Sequence, residues 1–248
     1  MKLIIVEDKN AIGKVVGQIF VNYVQQNPKV VFGLATGSSP ETTYQYIIED
    51  YKKNKTDWSK VTTFNLDEYI GLEPNHPQSY RYFMNEKLFN HLNINKKHIY
   101  VPLGTGNYIA YAKEYDNLIA KSGGIDLQLL GLGTNGHVGF NEPPADFNSL
   151  TGVVDLVPST IEANARFFTS PGDVPHQAVS MGIKSILNAK KIILIANGTN
   201  KAHAVKQLVE GEISNLWPCT ALQMHQDVTV VVDKAAAGLL QTRGINLS

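Results

Sequence analysis

Short apolar segments alternate with helical patterns along most of this 248-residue chain. The apolar segments that predict strands are residues 3–6, 30–35, 61–66, 125–130, 191–196 and 228–232. Apolar residues recur at helical spacing in residues 12–23, 40–53, 80–92, 110–120 and 201–209. Continuously apolar strands separated by helices are typical of a mostly parallel sheet that helices cover on both faces. The sequence therefore predicts a Rossmann-like α/β fold whose ligands bind in the loops after the strands.

No repeat, low-complexity tract or linker rich in proline and glycine divides the chain. We therefore expect residues 1–248 to form a single catalytic domain, with about 241–248 as a C-terminal tail. Residues 142–148 and 171–175 have no periodic pattern and are rich in proline, which predicts loops that could form lids.

The charge balance and the apolar segments narrow the class of protein. Lysine and arginine number 22 and aspartate and glutamate also number 22, so no overall field favours nucleic acid or an anionic membrane. The first apolar segment is too short for a signal peptide, and no run approaches the roughly 20 apolar residues of a membrane span. The single cysteine, Cys219, fits a reducing cytoplasm. The histidines show no zinc-site spacing, so we expect no metal. From the charge balance and the short apolar runs we expect no nucleic-acid or membrane partner.

The first loop of interest joins the strand predicted at 30–35 to a helix, and it reads Thr36, Gly37, Ser38, Ser39 and Pro40. Glycine lets the backbone approach a ligand closely, Ser39 is a good N-cap, and Pro40 suits the first helical position. Exposed backbone N–H groups at a helix N-terminus form an anion site. An ordinary capped helix start would look the same, so this loop alone leaves both interpretations open.

Two basic residues strengthen the interpretation as a phosphate site. Lys201 ends the segment GTNK after the strand predicted at 191–196, and Arg166 lies in the segment ANARFF. Either residue alone is more often a solvated surface charge. Together with the loop at 36–39 they predict a phosphate-binding cradle.

The glycine-rich segment at 131–136 has the spacing G-x-G-x-x-G after a predicted strand, and Asp155 lies near the distance of a ribose-binding acid. A dinucleotide site also needs a helix that begins within the glycines. The residues that follow have no helical period and end in Pro143 and Pro144. We therefore reject a dinucleotide site here.

The same segment carries acid–base groups instead. His137 can exchange a proton near neutral pH, and Glu142, five residues later, can orient the imidazole and stabilise its cation. Asn135 adds an amide to this group. The alternative is that these side chains only satisfy the backbone of the loop.

The strand predicted at 61–66 runs into Asp67, Glu68 and Tyr69, at the sheet edge from which the phosphate loop also emerges. A carboxylate there can act as a base on a substrate held by its phosphate. We expect its neighbour Glu68 to point into solvent or a salt bridge. Helix capping accounts equally well for Asp67 when it is considered alone.

Four segments together resemble the glucosamine-6-phosphate deaminase family, in the family's order and over about residues 1–240. They are LATGSSPETTY, FNLDEYIGL, GLGTNGHVGFNEP and ANARFF. The resemblance implies that Asp67 moves the C2 proton and that His137 opens the sugar ring with support from Asn135 and Glu142. It places the phosphate contacts on Thr36, Gly37, Ser38, Ser39, Arg166 and Lys201. Some members have aspartate where this chain has Asn135, and a neutral amide can still orient the histidine.

The resemblance implies a reaction that converts glucosamine 6-phosphate and water to fructose 6-phosphate and ammonia, with no cofactor. The ring opens, a proton moves from C2 to C1, and an imine is hydrolysed. We therefore expect a hydrolase whose reaction includes an isomerisation. The alternatives are a hydrolase similar to 6-phosphogluconolactonase and a sugar-phosphate sensor without activity, although the DEY and GHVGFNEP segments favour the deaminase.

Regulation is expected to differ from that of longer members of this family, which are hexamers activated by N-acetylglucosamine 6-phosphate between subunits. In those members, basic residues after the NEP motif hold the activator. Residues 145–155 here contain two aspartates and no lysine or arginine, and the chain ends soon after Leu240. A phosphate dianion would have no cationic partner there, so we expect a monomer with hyperbolic kinetics.

Overall fold

The computed structural model describes residues 1–166, 168–242 and 244–246, with the backbone alone at 159, 163, 164, 171, 245 and 246. Its strands are β1 (Lys2–Val6), β2 (Val31–Leu34), β3 (Thr62–Asn65), β4 (Asp67–Tyr69), β5 (Ile99–Tyr100), β6 (Leu127–Leu130), β7 (Gly152–Asp155), β8 (Gln177–Ser180), β9 (Ile192–Ala196), β10 (Val228–Asp233) and β11 (Ile245–Asn246). Its α-helices are α1 (Lys9–Gln26), α2 (Glu41–Asn54), α3 (Tyr80–Lys87), α4 (Tyr108–Lys121), α5 (Pro158–Ala165), α6 (Ile183–Leu187) and α7 (Ala202–Glu210).

The large sheet orders its strands β11-β1-β10-β9-β6-β2-β3-β5 across the described residues, and every pairing in it is parallel. Its central strands β2, β6, β9 and β10 are buried along their whole length. Strands that are buried on both faces must be apolar throughout, which is why these segments lack an alternating pattern. The predicted α/β class with a mostly parallel sheet is confirmed.

Two hydrophobic clusters lie on opposite faces of this sheet. One contains Phe20 of α1 and Ile47 of α2, and the other contains Tyr115 of α4 and Leu208 of α7. Side chains of one strand alternate between the clusters, as period-two geometry requires: Leu129 belongs to the first and Leu130 to the second. Helices therefore cover both faces and leave the strand ends as the place for a site.

A small antiparallel sheet, ordered β4-β8-β7, was not predicted. Asp67 on β4 pairs with Ser180 on β8, and Val153 on β7 pairs with Val179. β7 alternates between half-buried and exposed residues over only four positions, a pattern too short to separate from a loop. The small sheet fixes the backbone of β4 and therefore of Asp67.

Several elements begin or end at residues other than those predicted. The helix predicted at 80–92 ends at Lys87, because Leu88 has φ −147° and a separate 3₁₀ turn follows at Phe89–His91. Residues 171–175, predicted as a loop, contain a 3₁₀ turn at Pro171–Asp173. Within the proposed tail at 241–248, Ile245–Asn246 forms β11 beside β1, and residues 243, 247 and 248 lie outside the described part. Among the described residues, no helix is long and apolar enough to cross a membrane.

Candidate functional site

Four neighbouring strands, β9, β6, β2 and β3, end at the same edge of the large sheet. Each is followed in sequence by one of the predicted functional segments, so parallel pairing brings the segments together. They line one pocket of about 180 Å³. The predicted site residues that line it are Thr36, Gly37, Ser38, Ser39, Asp67, His137 and Lys201.

The loop after β2 presents backbone donors to this pocket. Gly37 has φ +88°, a conformation that a residue with a Cβ adopts only with strain. Within the described part of the chain, the N–H groups of Gly37, Ser38 and Ser39 have no protein acceptor. Pro40 rather than Ser39 occupies the N-cap position of α2, and no side-chain bond caps the helix. The free donors at the start of α2 make an anion-binding arrangement.

Lys201 approaches the same pocket from the end of β9. It ends a short 3₁₀ turn, Thr199–Lys201, that leads into α7. Asp233 shapes this turn, because its two carboxylate oxygens accept hydrogen bonds from the Gly198 N–H at 3.0 Å. Burial lowers the pKa of Lys201, since a half-buried ammonium lacks part of its hydration. An anion in the pocket would stabilise the charged ammonium in place of the missing water.

Arg166 does not join the lining of this pocket. It follows α5 and is exposed, and its neighbour Phe167 in the ANARFF segment lies outside the described residues. Asn135 and Glu142 also do not line the pocket, although both contact a residue that does.

His137 is held by two side chains of its own loop. Its Nδ1 lies 2.7 Å from Asn135 Oδ1 and 3.2 Å from Glu142 Oε1. The Asn135 amide donates to Glu142 Oε2 at 2.6 Å, which turns its oxygen toward the imidazole. Both neighbours of Nδ1 are acceptors, so Nδ1 carries the proton and Nε2 is left to exchange one.

Glu142 is held as an anion by these contacts. Burial alone would raise its pKa, but the hydrogen bond and charge of His137 and the bond from Asn135 lower it below the ordinary value. Its side chain is 11% exposed and that of His137 is 34% exposed, so the ion pair with a protonated His137 is partly screened by water.

The glycine-rich segment serves this histidine rather than a nucleotide. A Cβ on Gly133 would lie 2.2 Å from His137 Nδ1, so only glycine lets the imidazole pack against the loop. The Gly133 N–H also donates to the His137 carbonyl at 2.9 Å. Residues 131–151 contain no α-helix, the element that a dinucleotide site requires.

Asp67 is a buried acid at the floor of the pocket. It is 5% exposed, and β4 holds it opposite Ser180. Burial, followed by the nearby charge of Glu68, raises the pKa of Asp67 to about 8. A carboxylate with such a pKa can take and return a proton near neutral pH.

Glu68 is not where the sequence predicted it. It is 2% exposed and points neither into solvent nor into a salt bridge. Its Oε1 accepts the N–H groups of Tyr69 and Tyr80 at 2.9 and 2.8 Å, and its Oε2 accepts that of Arg81 at 2.9 Å. Glu68 therefore satisfies the free N–H groups at the start of α3.

Tyr80 was missed by the sequence analysis. It lines the pocket, and its ring stacks on Phe140 with an interplanar angle of 7° and a centroid distance of 6.1 Å. Its hydroxyl donates to the Tyr69 hydroxyl at 3.1 Å. No sequence pattern indicates that the first residue of a helix lines a pocket. Only the tertiary fold places Tyr80 beside Asp67.

The arrangement contains no metal centre among the described residues, where no group of three or more histidine, cysteine, aspartate or glutamate side chains converges. It can bind an anion at the start of α2 and at Lys201, and it offers acid–base groups at Asp67 and His137. These are the groups needed to move protons on a phosphorylated small molecule.

Comparisons with known proteins agree with this arrangement. Residues 9–231 match the family described as glucosamine-6-phosphate isomerases/6-phosphogluconolactonase. The chain is 50% identical to a glucosamine-6-phosphate deaminase of Mycoplasma mycoides subsp. mycoides over 97% of this chain and 98% of the relative. It is 49% identical to a glucosamine-6-phosphate deaminase of Clostridium perfringens over 97% of this chain and 100% of the relative. A solved monomeric glucosamine-6-phosphate deaminase is 40% identical with a TM-score of 0.93, covering 97% of this chain and 100% of its own.

The expectation of a hydrolase is wrong. The relatives at about 50% identity are named deaminases, and the family description names isomerases. A 6-phosphogluconolactonase of Trypanosoma cruzi is only 18% identical with a TM-score of 0.75 and shows the fold alone. The site agrees with this correction, because the buried carboxyl group of Asp67 suits the proton transfer that an isomerase needs. The chain belongs to the glucosamine-6-phosphate isomerase/6-phosphogluconolactonase family.

Proposed function

We propose that this protein converts glucosamine 6-phosphate and water to fructose 6-phosphate and ammonia. The observation that carries the proposal is the convergence of Asp67, His137 and the anion-binding loop at 36–39 on one pocket. Relatives over nearly the full length of the chain bear the corresponding name.

Phosphate binding would come first. The free N–H groups at 37–39 and the ammonium of Lys201 suit the phosphate group of the substrate. Binding the remote phosphate positions the reacting carbons, and such orientation can contribute about 7–11 kcal/mol to a barrier in the most favourable cases. Arg166 is exposed and is proposed as a phosphate contact on the family resemblance alone.

Ring opening is assigned to His137. Its Nε2 takes the proton of the anomeric hydroxyl and returns one to the ring oxygen, which breaks the bond between C1 and that oxygen and yields the aldehyde. The imidazolium formed in between is stabilised by Glu142 Oε1, which lies 3.2 Å from Nδ1. Asn135 fixes the ring orientation through its 2.7 Å contact with Nδ1.

Proton transfer between carbons is assigned to Asp67. Its carboxylate removes the C2 proton while the C1 oxygen takes a proton from the ammonium group of the substrate, so the aldehyde becomes an enol-type amine. Return of the C2 proton from Asp67 to C1 then gives a protonated C2 imine. Water then adds to C2 and ammonia leaves, which gives the ketone of fructose 6-phosphate. A well-placed acid–base group contributes about 10²–10⁴-fold to such a step.

The assembly and location follow as further proposals. We infer a monomer that works without an intersubunit effector, supported by the monomeric solved relative and by the absence of basic residues from 145–155. A cytoplasmic location suits the lone cysteine, Cys219, which is buried.

The test measures ammonia and fructose 6-phosphate released from glucosamine 6-phosphate. We expect both products in equal amounts, and Asp67→Asn should reduce turnover by about a hundredfold or more while substrate still binds. Asp227→Asn is the control, because Asp227 does not line the pocket and its carboxylate pairs with Lys191. Failure of the wild-type protein to release ammonia would refute the activity, and near-normal turnover by Asp67→Asn would refute the assignment of the base.

A further inference from the structure

Glu68 is a buried acid that the proposed reaction does not use. It directly follows the base in sequence, and both residues are buried, with exposures of 2% for Glu68 and 5% for Asp67. Two adjacent buried acids destabilise a fold unless their charges are compensated or one stays protonated. The surroundings of the two acids differ, and this difference decides which one ionises first.

Glu68 is surrounded by donors. Its two oxygens accept three backbone N–H groups, from Tyr69, Tyr80 and Arg81, and the latter two begin α3, where the helix dipole favours a negative charge. The guanidinium of Arg81 adds an attractive charge. Hydrogen bonds to the ionised form and a nearby cation both favour the carboxylate over the acid.

Among the described residues, no donor forms a hydrogen bond with the Asp67 carboxylate. Apart from Glu68, the titratable groups that face it or share its pocket are Tyr44 on α2, Tyr80 on α3, Tyr115 on α4, His137 after β6 and Lys201 after β9. Burial raises the pKa of each of the three tyrosines, so their hydroxyls stay neutral while a carboxyl titrates. Among the described groups around Asp67, Glu68 is therefore the one that supplies a negative charge.

We propose that Glu68 is a positioning residue that holds a negative charge beside Asp67 and thereby makes Asp67 a stronger base for the proposed reaction. The inference rests on the proposed function, since it needs Asp67 to act as that base. Burial raises the pKa of both carboxyl groups. The three N–H donors and the Arg81 charge favour the ionised form of Glu68, so Glu68 is charged while Asp67 titrates.

The same carboxylate also places Tyr80. Its bond to the Tyr80 N–H at 2.8 Å fixes the first residue of α3, and the Tyr80 side chain forms the pocket wall beside Asp67. The Glu68 side chain therefore connects the segment that carries the base to the residue that forms the neighbouring wall of the pocket.

The test is the pH profile of kcat/KM for ammonia release by the wild type and three variants. The rate should rise with pH as Asp67 loses its proton, and Glu68→Gln should move this acid limb to lower pH by about one unit because the repelling charge is gone. Glu68→Asp keeps the negative charge, so its acid limb should lie at the same pH as that of the wild type. Ser79→Ala is the matched control, because it removes the other side-chain bond that caps α3, from the Tyr82 N–H at 3.0 Å, without changing any charge.

A folded Glu68→Gln protein with the wild-type acid limb would overturn the inference, as would an equal shift in Ser79→Ala. If Glu68→Gln does not fold by circular dichroism, Glu68→Asp decides: a retained limb supports the role of the charge, and a moved limb refutes it. A wild-type protein that releases no ammonia would refute the proposed function instead, so the two failures are distinguishable.

Discussion

Replacing Asp67 with asparagine should change how the stability of the fold depends on pH. Burial and the charge of Glu68 raise the pKa of Asp67 to about 8 in the folded protein, whereas an aspartate in an unfolded chain has a pKa of about 3.9. The folded state therefore binds this proton more tightly than the unfolded state. The stabilisation is fully present below about pH 4 and is lost as the pH rises toward about 8.

The size of the stability change follows from this pH range between the two pKa values of Asp67. Each pH unit inside it removes about 1.4 kcal/mol of wild-type stability that Asp67→Asn does not lose. Between about pH 5 and about pH 7, the free energy of unfolding of the wild type should therefore fall by roughly 3 kcal/mol relative to the variant. Glu68 also titrates in this range but is present in both proteins, so the comparison removes most of its effect.

Urea unfolding, followed by circular dichroism at several pH values, measures this difference. The two curves of unfolding free energy against pH should not be parallel. The unfolding free energy of the wild type should fall relative to that of the variant as the pH rises. Parallel curves would mean that Asp67 ionises with an ordinary pKa in the folded protein. In that case the site would lack a carboxyl group poised near neutral pH, and the reasoning about the base would fail.

Three further predictions concern binding, ring opening and regulation. Lys201→Ala should weaken substrate binding by roughly 1.5–3 kcal/mol through loss of a charge-assisted contact, measured as KM against Lys206→Ala on the next turn of α7; equal KM values would remove Lys201 from the site. His137→Gln should impair the cyclic substrate while an open-chain analogue binds as in the wild type, and equal loss of affinity for both forms would contradict the assignment to ring opening. Initial rates should depend hyperbolically on substrate and not respond to N-acetylglucosamine 6-phosphate, so sigmoidal curves that this compound converts to hyperbolic ones would refute the proposed lack of regulation.

The contacts that could be predicted from the sequence are those made inside one short segment. Asn135, His137 and Glu142 lie within one eight-residue span of the loop after β6, and the loop geometry alone brings them together. The convergence of this segment with Asp67 and Lys201 was also predictable, because parallel strands bring their carboxyl ends to one edge.

Contacts that depend on tertiary packing could not be predicted. The Glu68 carboxylate meets backbone groups that are 12 and 13 positions away in sequence, at a helix start whose N-cap is Ser79. Any acid in DEY could equally have faced solvent, and only the docking of α3 against β4 determines otherwise. Arg166 shows the opposite case, since its motif resembles the family's and yet the side chain is exposed outside the pocket lining.

The two carboxylates proposed for the reaction have pKa values displaced in opposite directions, and this separation assigns their roles. Burial and the charge of Glu68 raise the pKa of Asp67 to about 8, whereas the imidazole and amide beside Glu142 lower the pKa of Glu142. A carboxyl group that is half-protonated near neutral pH can both take and return a proton, while one that stays ionised can only stabilise a cation. Glu142 would be a poor proton carrier even if it lined the pocket, and Asp67 would be a poor partner for an imidazolium. Exchange of a proton with carbon therefore belongs to Asp67, and support of His137 belongs to Glu142.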